Sequence, residues 1–160
     1  AAELSVTMGL DKSVEEIVAI MKAYALEAYT NIIPLKASVK EFLQKCKADG
    51  IQIAILTASP HAMLDVCLKR VGVYELFDHV WSSDDFGMKK SEPEIYHAAA
   101  KRLGADISEI TFFDDNLVAL QTAKRAGLRT VGVFDTTSED CAEEIKATAD
   151  SYILTFGELL

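Results

Sequence analysis

A threonine, a lysine and a pair of adjacent acids stand where an α/β protein carries its chemistry: Thr57, Lys90 and Asp114-Asp115. Phosphoryl transfer asks the protein mainly for position and for compensation of charge on the phosphate oxygens. A lysine supplies a point positive charge and a threonine hydroxyl a short hydrogen bond, while one or two carboxylates hold Mg²⁺ against the phosphate. Asp114-Asp115 follows Ile110-Thr111-Phe112-Phe113 directly, although aspartate is depleted in strands. Two like charges side by side are costly without a cation. Each residue also has a plainer role open to it: Thr57 as a turn residue, Lys90 as a solvated surface lysine, one of the acids as a helix N-cap. Their weight comes from falling together on three neighbouring loops.

Alternating elements must position those loops. Ile51-Gln52-Ile53-Ala54-Ile55-Leu56 is short, β-branched and nearly all apolar, as expected of a strand covered on both faces. The pattern predicts strands near 51–57, 78–82, 110–114, 129–134 and 151–155, with helices near 61–71, 92–103, 116–126 and 138–147. Gly72, Gly104 and Gly127 sit where helices should stop. Strand–helix–strand alternation implies crossovers, and crossovers imply a parallel sheet whose ligands bind at the carboxyl ends of the strands. There the sequence places Thr57-Ala58-Ser59, the polar loop from Ser82 to Asp85 leading into Lys89-Lys90, and Asp114-Asp115-Asn116. Upstream, Ser13 and Glu16 form a capping box for an amphipathic helix over 13–29. Pro34 ends that region, and Val39, Phe42, Leu43 and Cys46 mark a second helix that stops at Gly50. Residues 1–33 lie outside the alternating pattern and read as part of a helical cap; residues 34–160 read as the core.

Length and composition bound the rest. The 160 residues suit one domain, and 50% apolar with 26% charged residues is ordinary globular composition. A net charge of −9 argues against nucleic-acid binding and is compatible with Mg²⁺. The longest apolar run, 51–58, is far short of the ~20 residues a membrane span needs. Cys46, Cys67 and Cys141 have no metal-ligand spacing and read as small residues of a reduced, cytoplasmic protein. His61, His79 and His97 read as structural or surface residues, Trp81 and Phe86 as packing, and Glu139-Asp140 with Glu143-Glu144 as a solvated face.

Four stretches, in this order and spacing, resemble the haloacid dehalogenase-like (HAD) superfamily, in particular the branch of small-metabolite phosphatases and β-phosphoglucomutase-like proteins. Ile53-Ala54-Ile55-Leu56-Thr57-Ala58 is similar to the family's second motif. Lys90-Ser91-Glu92-Pro93-Glu94-Ile95-Tyr96 is similar to the third, with Ser91 in place of the usual first proline. Thr111-Phe112-Phe113-Asp114-Asp115-Asn116 is similar to the metal-binding fourth, and Ala123-Lys124-Arg125-Ala126-Gly127-Leu128 to the helix end that follows it. The resemblance implies a three-layer Rossmann-like HAD core and Mg²⁺-dependent hydrolysis of a small phosphorylated metabolite. It implies that Thr57 and the N–H of Ala58 bind phosphoryl oxygens, that Lys90 offsets charge, that Asp115 binds Mg²⁺, and that Asp114 is a second acid at the metal.

The family's first motif, Asp-x-Asp after the first strand, is absent: this sequence holds no Asp-x-Asp and hence no nucleophile. In the family that strand lies between the strands matching 51–57 and 110–114. The expectation is therefore a further N-terminal segment carrying it, and strands 51–57 and 110–114 that are not hydrogen-bonded to each other, since paired edges would leave no place for it. Three alternatives stand beside the phosphatase: a sugar-phosphate mutase of the same branch, a dehalogenase (whose chemistry needs no metal, so that the paired acids count against it), and a non-catalytic phosphate- or partner-binding module.

Overall fold

The structure is a computed structural model and describes residues 12–160. Helix α1, Val14–Glu27, starts with the capping box read from the sequence: Ser13 Oγ accepts from Glu16 N at 3.2 Å and the Glu16 carboxylate accepts from Ser13 N at 2.7 Å. It runs into a π-helical turn, Ala28–Ile32. Within α1 only Ile17 is buried; on its predicted apolar stripe Val14, Met21 and Tyr24 are exposed and Val18 and Ala25 half-buried, and Ile20 and Leu26 beside it are exposed as well. Arg70 ties this region to the core by donating to Tyr29 O at 3.4 Å and Ile33 O at 2.5 Å.

Helix α2, Val39–Ala48, buries Leu43 and Cys46. Phe42 packs against Phe113 and Phe156, with ring centroids 5.6 and 5.2 Å away. Five short strands follow: β1 Ala54–Thr57, β2 His79–Ser82, β3 Thr111–Asp114, β4 Arg129–Val133 and β5 Ser151–Ile153. Helices α3 His61–Arg70, α4 Pro93–Leu103, α5 Leu117–Ala126 and α6 Ala142–Thr148 lie between them. All strand pairs are parallel, as crossovers require.

The strands form two sheets, β1-β2 and β3-β4-β5. β1 and β3 are thus not paired, the arrangement expected if another strand belongs between them. All four residues of β1 are half-buried, less enclosed than an apolar run covered on both faces implies. β1 also starts later than the predicted 51. The reason is local: Ile51 N donates back to Cys46 O at 2.9 Å, and Ile53 O accepts from Asp78 N at 2.8 Å, so 51–53 serve to leave α2 and meet the approach to β2. The last predicted helix opens instead as a 3-10 segment, Thr136–Cys141, capped by Asp135.

Packing fixes the loops at the strand ends. Ile95, Tyr96, Ala123, Ala126 and Leu128 form one buried cluster with Leu56 and Phe112 against it; Val131, Val133 and Ile153 form another with Phe113 and Phe156. Gly104 and Gly127 close α4 and α5 in the left-handed conformation, at φ 70° and 103°, which costs glycine least. No helix among the described residues is long and apolar enough to cross a membrane.

Candidate functional site

The Thr57 hydroxyl accepts from Ser59 N at 3.1 Å, an interaction that turns the chain as β1 ends. Ser83 Oγ donates to Thr57 O at 3.1 Å, and Thr57 is in register with buried Ser82, so the β1 and β2 loops share one edge. Ala58 is exposed there. Tyr29 OH and Ser59 Oγ lie 2.6 Å apart, joining the helical N-terminal region to the same loop.

Lys90 is placed by the start of α4. The hydroxyl of buried Tyr96 donates to Lys90 O at 2.9 Å, and the Tyr96 ring packs on Phe112 at 5.2 Å. The Lys90 ammonium bonds the Asp114 carboxylate, with side-chain exposures of 19% and 10%, and lies 5.2 Å from the Phe112 ring centroid. Asp114 Oδ1 also accepts from Asn116 N at 2.8 Å. Neither aspartate is the cap of α5: Asn116 is, accepting from Ala119 N at 3.0 Å. Capping therefore occupies neither acid.

Asp115 differs from Asp114. Its nearest cation is Lys36 Nζ, at 3.9 Å. Burial and the Asp114 charge push its carboxyl above the usual range, and Lys36 pulls the other way. A partly buried acid in that condition is stabilised by a cation, so the donor set fits Mg²⁺. Among the described residues no group of three or more His, Cys, Asp or Glu converges on a metal position, but Mg²⁺ needs only one or two protein carboxylates beside substrate oxygens and water. Asp115 is the less committed carboxylate, with Lys36 no nearer than 3.9 Å, and Asp114 stands behind it with its oxygens bonded to Lys90 and Asn116.

Sequence reasoning missed two clusters. Lys36 donates to Phe134 O at 3.0 Å and bonds Asp135, across a separation that leaves no pattern to find. His61 bridges two acids, with Nδ1 3.2 Å from Asp65 and Nε2 2.8 Å from Asp85. The Asp65 half was readable as an i,i+4 pair; the Asp85 half was not. Trp81 and Phe86 do pack together, edge to face at 5.6 Å, with Arg102 over Phe86 at 3.8 Å.

A parallel α/β fold with a lysine, a threonine and paired acids at the carboxyl ends of its strands is the layout of a Rossmann-like hydrolase. A profile of haloacid dehalogenase-like hydrolases matches residues 4–127, and the chain belongs to that family. It is 30% identical over 140 residues to pyrophosphatase PpaX of Bacillus velezensis, covering 88% of this chain and 64% of that protein. A crystal structure of a dehalogenase superposes with a TM-score of 0.73 at 28% identity, over 83% of this chain and 57% of the other. A Thermotoga maritima protein assigned as a β-phosphoglucomutase superposes with a TM-score of 0.79 at 22% identity, over 95% and 70%, a likeness of fold. Against four of its curated relatives the chain spans from 10% to 64% of their own length.

Proposed function

We propose that this chain is the larger part of a Mg²⁺-dependent phosphatase acting on a small phosphorylated metabolite in the cytoplasm. The observation that carries this reading is the largely buried Lys90–Asp114 contact with Asp115 beside it, whose nearest cation is 3.9 Å away: a fixed positive charge and an acid with no close partner cation on one edge, which is what a phosphate with its metal requires. In this reading the Thr57 hydroxyl and the Ala58 N–H bind the phosphoryl oxygens, and Lys90 offsets their charge. Asp115 holds Mg²⁺, with Asp114 as the second acid behind it; the ion when bound would neutralise charge on the transferring group. The attacking aspartate, which would form an aspartyl phosphate, lies outside these 160 residues, on a strand between β1 and β3. That these two strands belong to different sheets supports the placement. The described residues of the segment 1–33 then form part of a helical cap.

A second reading, hydrolytic dehalogenation, is favoured by the likeness to a solved dehalogenase at 28% identity. One experiment separates them: release of phosphate from a panel of phosphomonoesters with Mg²⁺ and with EDTA, beside halide release from 2-chloropropionate. Phosphate release that EDTA abolishes supports the phosphatase. Halide release indifferent to EDTA rejects it. Neither product from a chain whose intact mass is 17.5 kDa leaves the non-catalytic phosphate-binding module.

A further inference from the structure

Lys36 follows Pro34 in the connection into the core, yet its ammonium lies at the carboxyl ends of β3 and β4. It donates to Phe134 O at 3.0 Å, bonds Asp135, and faces Asp115 Oδ2 at 3.9 Å, beyond hydrogen-bond distance. Asp135 is itself fixed: its Oδ1 accepts from Thr137 N at 2.8 Å and from Thr137 Oγ1 at 2.5 Å. The lysine is therefore held from the far side and kept just off the acid that the reading above gives to Mg²⁺. We propose that the Lys36–Asp135 pair is a positioning device that sets the divalent-cation affinity of Asp115, with Lys36 weakening it and Asp135 restraining Lys36.

The physical basis is Coulombic. A divalent cation on Asp115 would sit a few ångströms from the Lys36 ammonium and be repelled by it. At roughly 6 Å in water-like surroundings that repulsion corresponds to about tenfold in binding. Asp135 counteracts it by neutralising the ammonium and by holding it back. Without Asp135 the lysine is free to close the last distance and pair with Asp115 directly, in competition with the cation. The two halves of one ion pair thus act on the cation with opposite sign. A pair that served only to tie the connection to the β4 loop would have one sign, since losing either half loosens the same contact.

The inference rests on the reading of Asp115 as a Mg²⁺ ligand, and its test separates the two. Calorimetric titration of the purified chain with MgCl₂ is compared for wild type, Asp115→Asn, Lys36→Met, Lys36→Arg and Asp135→Asn. Lys36 is 39% exposed, and asparagine at 135 retains an acceptor for Thr137, so these variants keep the fold. The expected result is binding about tenfold tighter in Lys36→Met, roughly threefold or more weaker in Asp135→Asn, and near wild type in Lys36→Arg, which keeps the charge. Shifts of the same sign in Lys36→Met and Asp135→Asn, or no shift in either one, overturn the proposal while leaving the metal reading intact. No Mg²⁺ binding by wild type, or binding unchanged in Asp115→Asn, overturns the metal reading and the proposal with it.

Discussion

The Lys90 ammonium rests on the Asp114 carboxylate, and through it the loop after β2 is joined to the end of β3, although those strands belong to different sheets. With the two side chains 19% and 10% exposed, removing one leaves the other charged and poorly solvated. Lys90→Met should lower stability by about 3 kcal/mol, the range for breaking a largely buried pair from one side, as read from urea unfolding. Combined with Asp114→Asn, the loss should be smaller than the sum of the two single changes, because the double variant leaves no stranded charge. Additive losses would mean that the two side chains do not act as a pair.

His61 gives a pH-dependent prediction at the neighbouring loop. Its hydrogen bonds to Asp85 and then Asp65 raise its pKa above 6.5, and Asp85 is lowered in turn, first by His61 and next by Ser82 N–H. The facing groups are Asp65 on its own helix, Asp85, and Arg102, whose charge acts on Asp85. A raised folded pKa means stabilisation fully present below 6.5 and lost as pH rises through the folded value. His61→Gln should therefore lower Tm clearly at pH 6 and little at pH 9, and the wild-type ring protons should titrate above 6.5 by NMR. Equal losses at both pH values would show that the ring is not a charged bridge.

Much of this architecture was legible because it is written locally. The capping box at Ser13 and Glu16, the glycine stops at Gly104 and Gly127, and the strand ending at Asp114 each depend on residues a few positions apart. The candidate site residues stood out for the same reason: Thr57, Lys90 and Asp114-Asp115 each sit at the end of, or shortly after, an apolar strand. Interactions that close across the chain left no trace. Lys36 meets Asp135 from 99 residues away, and neither residue type announces the other. Burial was the other blind spot. Residues 13–29 read as an amphipathic helix, but Tyr24 on its apolar stripe is 74% exposed, because periodicity reports which residues share a side and not what covers it.

Asp150 should control acid stability. Lys124 beside it, then the N–H and hydroxyl of Thr130, hold its carboxyl down at about 2. Thr130 Oγ1 donates at 2.9 Å and Thr130 N at 2.8 Å, and Thr130 is fully buried. A depressed folded pKa means stabilisation present above the unfolded value of 3.8 and lost as pH falls through about 2. Asp150→Ala strands two buried donors and should cost about 1–3 kcal/mol at neutral pH. In thermal unfolding the gap from wild type should narrow steadily below pH 4. A gap constant from pH 7 to pH 3 would assign the loss to packing alone.

Gly132 on β4 should tolerate no side chain, for a reason of space. An added Cβ would meet Ile145 Cγ2 at 2.6 Å and Tyr152 Cδ2 at 2.8 Å. Ile145 is buried on α6 and Tyr152 is the paired residue on β5, so neither can swing away without moving its element. Gly132→Ala should destabilise by about 1–3 kcal/mol through overpacking, although alanine is otherwise the better residue inside an element than glycine. Ile145→Ala removes the nearer obstruction at its own cost. The double variant should therefore lose less stability than the sum of the two single changes. Since Asp114 pairs with Gly132 in register, a displaced β4 also shifts the strand end that carries Asp114 and Asp115. Mg²⁺ affinity in Gly132→Ala should accordingly fall below wild type even at temperatures where the variant is fully folded. A folded variant with unchanged affinity would show that β4 can move without carrying the end of β3.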